Sequence, residues 1–127
     1  MTDFPGLSSR VFDCDPSIRS ITFSRIDGAL LHSEMRPGVE SLNPVGEIER
    51  MESEVVVPTL SNYFESYKKY LGPVDYMGAK FERVSMLYMK HRNVFVIVSI
   101  EPNVSMSPIV QRIKEVLNEG FGDNSQI

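Results

Sequence analysis

VSMLYMKHRNVFVIVSIE, Val84–Glu101, contains the most apolar run of the chain, Val94–Ile100. That run is too short to cross a membrane and too rich in β-branched residues to favour a helix. A continuous apolar run of this length reads as a strand covered on both faces. Val84–Met89 mixes apolar and polar residues, and Arg92-Asn93 makes a turn. The pattern predicts a hairpin whose second strand is central in a sheet.

Downstream, Ser107 reads as an N-cap with Pro108 at the first helical position. Ile109, Val110, Ile113, Val116 and Leu117 form an apolar stripe, Gly120 ends the helix, and residues 121–127 read as a loose tail. Upstream, Val74–Phe81 reads as a strand weakened by Gly78. Asp75, Met77, Ala79 and Phe81 alternate with Val74, Tyr76, Gly78 and Lys80, so neither face is cleanly apolar. That is the pattern of an edge strand or an interface.

Glu47–Leu71 is helical, with Val56, Leu60, Tyr63, Phe64, Tyr67 and Leu71 on one stripe, and Gly72-Pro73 stops it. Pro58 deletes a hydrogen bond inside this segment and predicts one kinked helix. Arg36–Pro44, with two prolines and a glycine, is a loop. Ile18–Met35 is a second hairpin, turning at Ile26-Asp27-Gly28. A three-residue loop with Gly28 in the left-handed position sets Arg25 opposite Ala29, Phe23 opposite Leu31 and Ile21 opposite Ser33. Ile21, Phe23, Leu31 and Met35 then share one face, and Ser20, Thr22, Ser24, His32 and Glu34 the other. In residues 1–16, Asp3-Phe4-Pro5-Gly6 is turn-like, Leu7–Phe12 makes a short helix, and Asp15-Pro16 ends it.

The order is (α)-β-β-α-β-β-β-α. It predicts an α+β domain spanning residues 1–127, with an antiparallel five-stranded sheet flanked by helices. Hydrophobic content of 42% and charged content of 24% are ordinary for a globular protein. The net charge of −4 argues against nucleic acid as a partner. A single cysteine, Cys14, forbids an internal disulfide and fits a reducing compartment. No secretory pattern or membrane-spanning run is present in the sequence, so a cytoplasmic protein is expected.

Candidate chemistry is sparse. Asp13 and Asp15 flank Cys14 and disfavour its thiolate. His32 and Glu34 sit at i, i+2 on a strand, with His91 elsewhere, and lack a metal-ligand spacing. Glu47, Glu49, Glu52 and Glu54 complement a helix N-terminus and are expected to face water. No phosphate-binding loop is present. Tyr63, Phe64, Tyr67 and Tyr70 resemble an aromatic box but read as core with one exposed tyrosine. Charge is unevenly distributed: residues 68–92 carry +4 and residues 40–65 carry −5. Such an asymmetry suits guidance of an acidic partner or contact between the two segments on different subunits.

This element order, with its Asp27-Gly28 hairpin, long Glu47–Leu71 helix and sheet leading into a C-terminal helix, resembles the roadblock/LC7 and longin-like group of profilin-like domains. In wording, Asp15-Pro16-Ser17-Ile18-Arg19, Leu71-Gly72-Pro73-Val74-Asp75-Tyr76 and Ser99-Ile100-Glu101-Pro102 resemble a family of small uncharacterised archaeal proteins. The roadblock resemblance implies a non-catalytic, cofactor-free interaction module. It implies a homodimer in which the strand Val74–Phe81 meets its symmetry mate, and a platform for a small GTPase or another cytoplasmic partner. Val74, Tyr76, Met77, Ala79, Phe81, Arg50 and Tyr70 are the interface candidates. The alternative is a sensor binding a small molecule between sheet and helix.

Overall fold

The computed structural model describes residues 2–42 and 46–121. The elements are α1 (Phe4–Phe12), β1 (Ile18–Arg25), β2 (Leu30–Met35), α2 (Glu47–Met51), a π-helical turn (Glu52–Val56), α3 (Val57–Leu71), β3 (Met77–Lys80), β4 (Ser85–His91), β5 (Val94–Ile100) and α4 (Met106–Phe121). The strands form one antiparallel sheet in the order β2-β1-β5-β4-β3. The fold class, the central place of Val94–Ile100 and the hairpin through Arg92-Asn93 are as the sequence predicts.

Alternation along β5 builds both sides of the core. Val94, Val96, Val98 and Ile100 pack with α1 and α4 against Leu7, Val11, Ile109, Ile113 and Leu117. Phe95 and Ile97 point the other way, toward Val57 and Phe64 of the long helix. All seven β5 residues are buried. Each large apolar side chain so covered contributes roughly 1.5–3 kcal/mol.

Several local expectations are corrected. α1 begins at Phe4, because Pro5 and Gly6 fall in the first helical turn, where a missing N–H costs nothing; Asp3 caps it, accepting from the Gly6 N–H at 3.0 Å. α4 begins at Met106, so Ser107 lies inside it and its hydroxyl meets Tyr76 Oη at 3.1 Å. Gly120 lies within α4 and does not end it; Leu7 packs where a Cβ would stand. Phe121 is the buried last residue of that helix, and the rest of the expected tail, residues 122–127, lies outside the described residues. So do Asn43 and Pro44 of the expected loop.

The three-residue turn is present: the Arg25 N–H donates to the Ala29 carbonyl at 2.8 Å. Beyond it the register differs from expectation. A bulge between Phe23 and Ser24 and their partners leaves Leu31 extra, so Phe23 faces His32 and Ile21 faces Glu34. His32 consequently lies beside Phe4 and Phe23, not with the serines. The hydroxyl face of β1 is retained, with Thr22 hydrogen-bonded to Ser33 at 2.9 Å and Ser20 to Ser99.

The segment Glu47–Leu71 is helical throughout, as expected, and the difficulty at Pro58 is met by the π-helical turn just before it. The Thr59 hydroxyl donates to the Val55 carbonyl at 2.8 Å. Gly28, with φ +96°, lies against this turn: a Cβ there would stand 2.6 Å from the Ser53 carbonyl oxygen.

Candidate functional site

The expected strand Val74–Phe81 shortens to Met77–Lys80, because Pro73 and Gly72 hold the chain in a loop and Phe81 leaves the ladder. As predicted, it is an edge: no strand among the described residues pairs with its outer side. Alternation sends Met77 and Ala79 toward α3, and Gly78 toward Met106 of α4. Lys80 shares the Gly78 side.

The apolar cluster on the α3 side is buried at Val57, Phe64, Met86, Tyr88, Phe95 and Ile97. Its rim is only half covered. Val56 and Leu60 from the helix, Val74 from the loop, and Met77 and Ala79 from the edge make up that rim with Ile26 and Val84. Outside it, α3 carries Tyr63, Tyr67 and Leu71, which are 49%, 48% and 78% exposed. The expected core stripe is thus buried at Phe64 and open at its other aromatic positions. The Tyr63 and Tyr67 rings pack edge to face, with centroids 5.0 Å apart.

The structure brings together Val74, Met77 and Ala79. It places Tyr76 on the opposite face, packed with the α1–α4 core. Phe81 is exposed just past the strand, and Tyr70 is exposed with the Lys69 ammonium over its ring. Arg50 lies elsewhere, beside Leu30, Ser33 and Met35 in a groove of about 520 Å³ along β2, the other edge. Tyr63, Tyr67 and Leu71 join the surface although sequence reading assigned them to the core; a helical stripe reports amphipathicity, not what covers it.

Other candidates resolve into structural roles. Cys14 is half-buried, and burial, more than Asp13, pushes its thiol pKa up, away from a nucleophile. His32 Nε2 meets Glu34 Oε1 at 3.1 Å on the edge strand. Among the described residues no group of three or more His, Cys, Asp or Glu side chains converges. Within the basic segment, Lys90 is paired to Glu65 at 3.0 Å.

The acidic helix start departs from expectation. Glu47 and Glu54 are exposed, but Glu52 is only 8% exposed. The Tyr88 hydroxyl donates to Glu52 Oε1 at 3.3 Å, and Oε2 has no partner. Burial raises the Glu52 pKa; the Tyr88 hydrogen bond opposes the rise and the Glu49 charge adds to it. Because the folded-state value is the higher one, the folded protein binds the proton more tightly than the unfolded chain. Stability associated with Glu52 is greatest at acid pH and falls as pH rises from the usual carboxylate range through the raised value. Glu52→Gln is expected to flatten that fall and to stabilise the protein at neutral pH by on the order of 1 kcal/mol. Urea unfolding of both proteins across a pH series checks it.

No protein-family model and no curated protein matches this sequence. The fold is that of solved roadblock/LC7 structures. A Roadblock/LC7 domain from Streptomyces avermitilis superposes with a TM-score of 0.70 at 11% identity, covering 93% of this chain and 94% of that one. Myxococcus xanthus MglB gives 0.68 at 13% identity, covering 92% and 93%. The gliding protein MglB from Thermus thermophilus gives 0.68 at 8% identity, covering 90% and 82%. At these identities the likeness establishes a roadblock/LC7-like architecture.

Proposed function

We propose that this chain is a non-catalytic protein-interaction module that pairs with a second copy of itself through β3 and the adjoining face of α3. The carrying observation is the half-covered apolar rim, Val56, Leu60, Met77 and Ala79, beside an open strand edge. An unpaired edge presents a row of N–H and C=O groups, and a second edge laid antiparallel satisfies them. The same approach covers the rim and brings Tyr63 and Tyr67 against the partner. Aromatic residues suit such a place, giving large contact area at low entropic cost.

The pair then offers its remaining surface to a further cytoplasmic partner. A small GTPase is proposed on the roadblock resemblance, and an archaeal source on the three stretches of shared wording. No helix among the described residues is long and apolar enough to cross a membrane. Light scattering over a dilution series tests pairing: a mass of two chains that holds on dilution supports it, and a single-chain mass throughout overturns it.

A second reading, small-molecule sensing, is favoured by the groove of about 520 Å³ between β2 and the helix. That volume lies in the range of ligand pockets. A small molecule released on denaturing the purified native protein would support it.

A further inference from the structure

We propose that the cavity between the π-helical turn and the hydroxyl-bearing face of β1 and β5 is a binding site for a hard divalent cation, Ca²⁺ fitting it best, held by Glu49 and Glu52. The inference stands independently of pairing.

Four observations carry it. First, Glu52 is more than nine-tenths buried, lines this cavity, and has an oxygen, Oε2, with no hydrogen-bond partner; Oε2 of Glu49 is likewise buried and unpartnered. Buried carboxylate oxygens are costly unless a cation or donors meet them. Second, apart from Arg19 the polar lining is oxygen: the two carboxylates with the hydroxyls of Ser20, Thr22, Ser41 and Ser99. Carboxylate and hydroxyl oxygens are hard ligands, suited to Ca²⁺ or Mg²⁺ and not to soft metals.

Third, the cation of the lining, Arg19, is engaged elsewhere. Its guanidinium donates to Glu101 Oε1 at 2.7 Å and to the Glu40 carbonyl at 2.8 Å. The lining thus offers Glu49 and Glu52 no uncommitted counter-charge, and one divalent ion would balance the two carboxylates. Fourth, the cavity is about 70 Å³. At roughly 30 Å³ per water, that leaves room for an ion and one or two waters. Ca²⁺ accepts irregular oxygen shells with few waters, whereas Mg²⁺ retains several and demands an octahedron. Glu52 opens the π-helical turn and reaches the sheet, where its Oε1 accepts from the Tyr88 hydroxyl.

The test is calorimetric titration of chelator-stripped full-length protein with CaCl₂ at neutral pH, beside thermal melts with and without Ca²⁺. The expected result is one ion per chain and a melting temperature that climbs with Ca²⁺. Glu52→Gln, which keeps the side-chain shape, should weaken binding about tenfold or more through the loss of a ligand charge. Its melt in chelator should remain at or above that of the unsubstituted protein, showing an intact fold. Absence of heat and of a melting shift at about 1 mM Ca²⁺, the weak end of oxygen-ligated sites, overturns the proposal. Equal affinity of Glu52→Gln and the unsubstituted chain also overturns it, because the ion then binds elsewhere.

Discussion

Met77→Asp is expected to run at the mass of one chain at concentrations where, under the proposed pairing, the unsubstituted protein runs as two. Met77 lies on β3 with its side chain toward α3, on the half-covered rim of the apolar cluster. In one chain an aspartate there reaches water, because the position is only partly buried. In the proposed pair it would lose that water. A buried charge without a partner costs at least about 3 kcal/mol, enough to weaken pairing more than about a hundredfold. Lys80→Asp is the control: it alters the same strand on the α4 side and leaves the proposed apolar contact alone. Light scattering reads both, and near-ultraviolet circular dichroism confirms that each chain is folded. A Met77→Asp protein that stays at twice the chain mass removes β3 from the interface.

Gly28→Val is expected to cost the fold about 3 kcal/mol or more, from two separable causes. The backbone there has φ +96°, a region that β-branched residues avoid. A Cβ would also stand 2.6 Å from the Ser53 carbonyl oxygen, a backbone atom that cannot rotate aside. Relief requires the β1–β2 turn to lift off the π-helical turn. Urea unfolding measures the loss, and Gly28→Ala, lacking the branch but keeping the clash, should fall between the two. A Gly28→Val protein as stable as the parent would show that the turn and helix separate at little cost.

Much of the architecture was legible because it rests on strong local patterns. Val94–Ile100 could satisfy its side chains only in the middle of a sheet, and β5 is there. Mixed faces around Gly78 marked an edge, and β3 is one. The register of the first hairpin was not legible past Ser24, because one extra residue at Leu31 leaves the turn unchanged while shifting every later pair. Glu52 was misread for a different reason: four glutamates at a helix start were read by their charge as facing water, although Glu52 lies one turn before Val56 on the apolar stripe. The exposed tyrosines of α3 show a further limit: periodicity identifies the apolar side of a helix, but coverage depends on surfaces that one chain need not contain.

The bulge at Leu31 bears on how large an assembly this protein can build. The sheet has two outer strands, and units that add at both would polymerise without end, the arithmetic of a filament. β3 pairs with β4 in unbroken register and offers a regular template. β2 does not: its ladder is interrupted by a bulge, a feature that generally bends and twists a strand, and it carries Glu34. Under the proposed pairing, addition is therefore favoured at one side only. A unit that can be extended from one side stops growing as soon as that side is met by its like.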